Sequence, residues 1–243
     1  MNLSVVDYEG ALQRIEAMIA AGERGYVCHV AVNGLMNARR EPAAMEALSG
    51  ATLVLPDGMP VVWALRSLGE RVPDRVYGPD LMLLECERSL RNGARHFLYG
   101  GRDGDATAAL AAALRGRFPG ISIAGSWTPP HRGLTAGEED EVIGLIDSSD
   151  ADIVWVGTGS PRQETWMASM RPRLRAPVLV GVGAAFDFHS GLVPQAPRWM
   201  QRRGLEWLYR AGREPRRLLP RYLRDNPAFL ALWGRQWLRE RRR

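Results

Sequence analysis

Asp57 is the residue of this chain best placed for acid–base work. It sits in Pro56-Asp57-Gly58, directly after the short apolar run ATLVL and directly before the helical pattern MPVVWALRSLG. A carboxylate at the carboxyl end of a strand stands at the edge where open α/β sheets bind ligands, and there it can take a proton from an attacking hydroxyl. Asp before Gly is equally an ordinary turn former, so the tripeptide alone leaves both readings open. The second chemistry-bearing stretch runs from residue 152 to 200, where two apolar strands each run straight into glycines. After the first come Gly157, Gly159 and Ser160, and then a helix beginning SPRQE. Such a turn leaves backbone N–H groups aimed at one spot, which suits a phosphate or diphosphate. Gly100-Gly101, after the strand RHFLYGG, is a weaker case of the same turn, and either turn also serves as a plain tight connection. Ser160 with Gln163 three residues on reads as a capping box; its flanks lack the G-x-S-x-G of a serine nucleophile.

Other motifs carry less. Neither glycine turn completes the spaced fingerprint of a dinucleotide fold, and no Walker A string occurs. Asp103-Gly-Asp105 opens a helix, where acids serve as caps; Asp150-Ala-Asp152 falls at the edge of the sheet away from ligands. Neither pair is taken as a metal site. His29 and His96 lie in apolar strands as core histidines, and no histidine has ligand spacing. Cys28 and Cys86 likewise sit in apolar runs and are expected as reduced core thiols.

To bring Asp57 and the Gly157 turn together, the chain needs parallel strands with their carboxyl ends on one edge. Apolar periodicity predicts a helix over 7–22, a buried strand YVCHVAVN ending at Asn33, a helix over 34–48, and strand–helix alternation onward to residue 185. Asn33 then falls beside Asp57 if their strands are parallel neighbours. This predicts an α/β fold, a Rossmann-like, largely parallel sheet with helices on both faces. Composition shifts near residue 197, which divides the chain into an α/β core, 1–196, and a helical C-terminal appendage, 197–243.

Every basic residue is arginine, and the charge is lopsided: residues 201–243 hold 13 Arg against 4 acidic residues, the first 200 hold 19 against 23. That basic segment carries Trp207, Tyr209, Tyr222, Phe229, Trp233 and Trp237, a mixture that suits an interface with anionic headgroups. No run approaches the roughly 20 apolar residues of a membrane span, and no signal-peptide pattern opens the chain, so a cytoplasmic location is expected.

Seven blocks, VNGLMNA, LPDGMPVVWALRSLG, RVYGPDL, VGTGSPRQETWM, GVGAAFDFHSG, APRWMQRRGLEWLYR and REPRRLLPRYLRDNPAFL, resemble the WecG/TagA/CpsF family of glycosyltransferases, glycosyltransferase family 26. The resemblance runs in order from about residue 26 to 232. It implies inverting transfer of a hexose or N-acetylhexosamine, such as glucose or N-acetylmannosamine, from a UDP-sugar to a polyprenyl-diphosphate-linked acceptor in cell-surface polysaccharide synthesis. No metal or other cofactor is implied. Asp57 corresponds to the general base, and Asn33, Arg75 (with Asp80 nearby) and Gln163 to further catalytic positions. To Gly101, Gly157, Gly159 and Ser160 the resemblance adds Pro161 and Glu164 as substrate-binding residues, with Gly183, Phe186 and Asp187 from the later glycine block.

The family's C-terminal segment docks on membrane and helps complete the site, which makes Arg213, Arg216, Arg217, Arg221 and Arg224 the candidates here. The implied location is peripheral, on the inner face of the cell membrane, without nucleic acid and compatible with a homo-oligomer. A tail that is mobile until it meets lipid or acceptor would couple activity to membrane contact. The chain departs from the family pattern at Ala31, commonly Thr, and at Arg162, where SPKQE has become SPRQE. Two rivals stand beside this reading. A nucleotide-dependent oxidoreductase would need a complete G-x-G-x-x-G. A nucleic-acid or membrane adaptor would not need Asn33, Asp57, Arg75 and Gln163 to converge.

Overall fold

The computed structural model describes residues 1–242. Its six strands are β1 (Gly25–Val30), β2 (Leu53–Pro56), β3 (Arg95–Gly100), β4 (Ser122–Trp127), β5 (Ile153–Gly157) and β6 (Val178–Gly181). They form one sheet in the order β2-β1-β6-β5-β3-β4, every pairing parallel. In the inner strands alternate residues enter opposite cores, as strand geometry requires: Ile153 and Trp155 go to one, Val154 and Val156 to the other. Burial on both faces is why these strands read as continuous apolar runs.

Helices α1 (Tyr8–Ala21), α5 (Gly78–Asn92), α6 (Gly104–Arg117) and α9 (Ala185–His189) cover one face. Helices α2 (Val32–Arg40), α3 (Pro42–Ser49), α7 (Ala136–Ser148) and α8 (Arg162–Met170) cover the other. Their ends follow local chemistry. Asp7 and Asp103 cap α1 and α6, and Thr135 with Glu138 closes a full capping box on α7. Asp103 is thus a cap, and Asp152 accepts the Arg95 N–H at the far edge of the sheet. Trp155 donates its indole N–H to His96 Nδ1 at 2.9 Å, so His96 is a core residue held through that nitrogen. Both cysteines are buried and unpaired.

Two expected elements differ. The first strand stops at Val30 because its partners end there: β2 runs out at Val30↔Pro56 and β6 at Cys28↔Gly181. Asn33 therefore lies in the first turn of α2. The helix expected over 34–48 is two helices, since Pro42 offers no N–H and holds Glu41 extended at φ −118°, ψ 107°.

After the sheet come α4 (Met59–Ser67), which follows β2 in sequence, and the terminal helices α10 (Arg198–Arg202), α11 (Glu206–Arg213) and α12 (Pro215–Glu240). Phe229 and Trp233 of α12 pack with Met36 of α2 and Ala64 of α4. Asp225, fully buried, accepts from Arg40 of α2 at 2.9 Å, and Trp233 donates to Ser67 at 2.7 Å. These contacts lay the basic helices across the β2–β1 side of the sheet, over the strand ends. Among the described residues, no helix is long and apolar enough to cross a membrane.

Candidate active site

All six strands open their carboxyl ends into one region, and the loops that follow them line a cleft of about 700 Å³. The floor is built by glycines. A side chain on Gly157 would meet the Phe186 ring at 2.2 Å, and one on Gly100 would strike Gly157 backbone at 2.7 Å. Gly101, at φ 88°, gives its N–H to the Gly157 carbonyl, so its contribution to the cleft is the absence of a side chain.

Beyond Gly157 the chain turns through Gly159 at φ 79°. Among the described residues, no backbone carbonyl accepts from the N–H groups of Thr158, Gly159 or Ser160. Consecutive unpaired N–H groups in such a turn form an anion-binding concavity. The expected capping box is absent: Pro161 takes the cap position of α8, and the Gln163 N–H goes to the Gly159 carbonyl. The Gln163 side chain is freed for the cleft. It donates to Glu164 Oε1 at 3.1 Å, and its own carbonyl oxygen is buried without a partner. Glu164 is itself buried beneath the wall and is not part of the lining.

Asp57 follows β2 immediately, and its N–H donates to Val30 O at 3.0 Å, which sets it beside the start of α2. Its Oδ1 is buried and unpartnered. Burial first, and then the Glu206 carboxylate, push the Asp57 carboxyl up to about 7, against the opposing pull of Arg75, Arg210 and the Gly78 N–H. Arg75 is buried and stacked 4.2 Å over the Tyr77 ring. Its guanidinium donates to Glu206 at 3.1 Å and to Gln201 at 2.7 Å, both in the terminal helices. Tyr77 donates its hydroxyl to Glu206 at 2.9 Å. Asp80 lies outside the lining and takes a long 3.5 Å contact from Tyr8.

Asn33, Asp57, Arg75 and Gln163 thus line one cleft, together with Gly101, Gly157, Gly159, Ser160 and Pro161, and with Gly183, Phe186 and Asp187. Asp187 is paired with Arg102 at 3.3 Å. Of the tail arginines, Arg217 and Arg221 reach the cleft; Arg213, Arg216 and Arg224 do not. The last three project elsewhere because a helix presents only one face to its neighbour: Arg213 lies against Tyr209 and Arg224 against Asp225.

Residues that the sequence did not assign to the cleft complete the roof. Glu206, Trp207 and Arg210 come from α11, whose signal was an acid and an aromatic inside a strongly basic block. His29, read as core, is buried yet lines the cleft; its Nδ1 pairs with Gly181 O at 2.9 Å, and burial pulls the ring down to about 4, so it is neutral. Among the described residues, no three His, Cys, Asp or Glu side chains are grouped to hold a metal ion.

An all-parallel sheet that gathers every strand's carboxyl end at one crevice is the build of an open α/β ligand-binding enzyme. The chain belongs to the WecG/TagA/CpsF family of glycosyl transferases, whose family model matches residues 1–243, and it is a glycosyltransferase. It is also 33% identical over 191 residues to the N-acetylglucosaminyldiphosphoundecaprenol N-acetyl-beta-D-mannosaminyltransferase of Bacillus spizizenii, covering 76% of this chain and 72% of that protein.

Proposed function

We propose that the chain transfers an N-acetylhexosamine or hexose from a UDP-sugar to a polyprenyl-diphosphate-linked acceptor, with inversion and with Asp57 as general base. The name of the Bacillus relative supports the acceptor class and ranks N-acetylmannosamine first among donors. The observation that carries the reading is that Asp57, with its unpaired Oδ1, shares one cleft with the unpaired N–H groups of Thr158 to Ser160. An adaptor has no use for such convergence.

In this reading the diphosphate of the donor sits on that turn. The acceptor hydroxyl attacks the anomeric carbon as the bond to UDP breaks, and its proton passes to Asp57. The electron pair leaves on the diphosphate, where Arg210, Arg217 and Arg221 of the roof and the turn's N–H groups stabilise it without a metal. Gln163, with a free carbonyl oxygen, and Asn33 are suited to orient sugar hydroxyls.

The terminal helices also carry Trp199, Leu208 and Leu223 at 56%, 51% and 67% exposure among their arginines. That composition supports docking on an anionic membrane, with the cleft roof at the lipid surface and the enzyme peripheral on its inner face.

The test is direct. The purified chain is mixed with UDP-N-acetylmannosamine, UDP-N-acetylglucosamine or UDP-glucose and an N-acetylglucosaminyl-diphosphate lipid, and UDP release and product anomer are read. No turnover with any donor removes the donor class. Full turnover by Asp57→Asn removes the base.

A further inference from the structure

Two carboxylates in this cleft compete for one buried guanidinium. Arg75 lies in the segment leading to α5, and both Asp57 and Glu206 act on it: burial disfavours its charge, and the two acids outweigh burial. Yet among the described residues its guanidinium hydrogen-bonds to Glu206 and Gln201 alone. Gln201 is locked in turn, donating to Ala196 O at 2.7 Å, and Glu206 is held from its other oxygen by Tyr77. Asp57 is left with an unpaired Oδ1. Both acceptors that occupy Arg75 come from α10 and α11, so the pairing exists only while those helices cover the cleft.

We propose that Glu206 is a positioning residue for the transfer: by holding Arg75 to α11 it keeps that guanidinium off Asp57, so docking of the terminal helices frees the carboxylate to act as base. With α11 lifted away, Arg75 loses both acceptors, and Asp57 stands beside it in the cleft, since the neighbouring Val76 N–H donates to Pro56 O at 2.9 Å. An ion pair there stabilises the carboxylate and weakens it as a proton acceptor. The core alone then binds donor with a quenched base, and the covered enzyme has an active one. This rests on Asp57 being the base, as proposed above.

Arg210 of α11 and the Gly78 N–H of α5 oppose protonation of Asp57. Tyr8 of α1 and Tyr77 before α5 are both raised by burial and stay neutral. His29 of β1, in the same cleft, is neutral as well. Among the described residues, Glu206 is the acid that acts on Asp57 in the protonating direction.

The experiment is a pH–rate profile of the full chain and of Glu206→Gln, after thermal melting and UDP binding have established that each is folded. In the parent, kcat/KM should rise with pH through about 7. In E206Q the limb should move down by about one to three pH units, the effect of a nearby cation on a carboxylate, and plateau kcat should fall. KM for the donor should stay within about twofold, because Glu206 is not assigned to the sugar nucleotide. Glu206→Asp, which keeps the charge, should restore most of the limb's position. Because loss of the Glu206 charge also lowers Asp57 directly, the deciding variant is Gln201→Leu, which strips one acceptor from Arg75 without changing charge: a smaller shift of the same sign supports release of Arg75, and an unmoved limb in Q201L overturns it. A limb that is present in the parent, abolished by Asp57→Asn and unmoved by E206Q overturns this inference and leaves the base in place. A limb that survives Asp57→Asn overturns the base itself.

Discussion

The guanidinium of Arg75 lies 3.1 Å from the carboxylate of Glu206, a bond that ties the middle of the chain to its terminal helices across the mouth of the cleft. Arg75 was expected as a catalytic arginine. The hydrogen bonds of its guanidinium hold the roof in place, and the roof in turn brings Arg210, Arg217 and Arg221 to the cleft, beside Arg102 and Arg162 from the strand-end loops.

Arg210 and Arg221 are the first of these to test. Neither has a carboxylate partner among the described residues, and Arg221 Nε is buried without an acceptor. If they stabilise the departing diphosphate, Arg210→Ala or Arg221→Ala should lower kcat by about 10²–10³-fold with a smaller change in donor KM. Arg216, exposed and outside the cleft, should affect salt-dependent vesicle binding and not kcat with a soluble acceptor.

Asp57 predicts a stability signature as well as a kinetic one. Its carboxyl is raised from 3.8 to about 7 in the folded state, so the stability it contributes is complete below 3.8, declines as pH rises and is gone above about 7. Asp57→Asn cannot ionise. Its melting temperature relative to the parent should climb across that window and level off above it. Since the residue opens partly to the cleft, the gain should be about 1–3 kcal/mol, read from melting curves at several pH values.

Ala31 caps α2 at φ −100°, ψ −177° with no side chain able to accept an N–H. This is the position where the family pattern commonly has Thr. Ala31→Thr should supply the missing cap and raise stability by about 1 kcal/mol. Room exists because the facing residue is Gly58, whose missing Cβ would stand 3.3 Å from the Ala31 Cβ. Differential scanning calorimetry checks the gain, and an altered donor KM would show that the hydroxyl also reaches the cleft.

Asp225 anchors α12. Its Oδ1 accepts from Arg40 and from Arg224, each at 2.9 Å. Asp225→Ala leaves Arg40 without its cross-helix partner and should cost about 1–3 kcal/mol of docking, less than a fully buried pair because Arg40 is partly exposed. Trypsin should then cut within α11 and α12 faster, while amide exchange in β1, β5 and β6 stays slow.

Much of the core was legible because its causes are local. Apolar runs of strand length, helical periodicity and glycines after strands predict a parallel sheet, and Asp57 and Gly157 fall at its ligand edge by connectivity alone. Even the break before α3 was written in Pro42. The capping box at Ser160 failed because Pro161 occupies the cap position, which a spacing rule for Ser and Gln does not weigh. His29 looked like core because an apolar neighbourhood in sequence cannot tell the inside of a sheet from the wall of a cleft.

By itself, the sequence determined the sheet, the turn that carries Asp57, the glycine floor and the family, since each rests on residues close together in the chain or on blocks in fixed order. Only the tertiary structure decided which tail residues face the cleft and what Arg75 does there. Helix docking selects one face of α11 and α12 out of several arginine-rich ones, and the partner of a buried charge 131 residues away is chosen by packing, which no local pattern encodes.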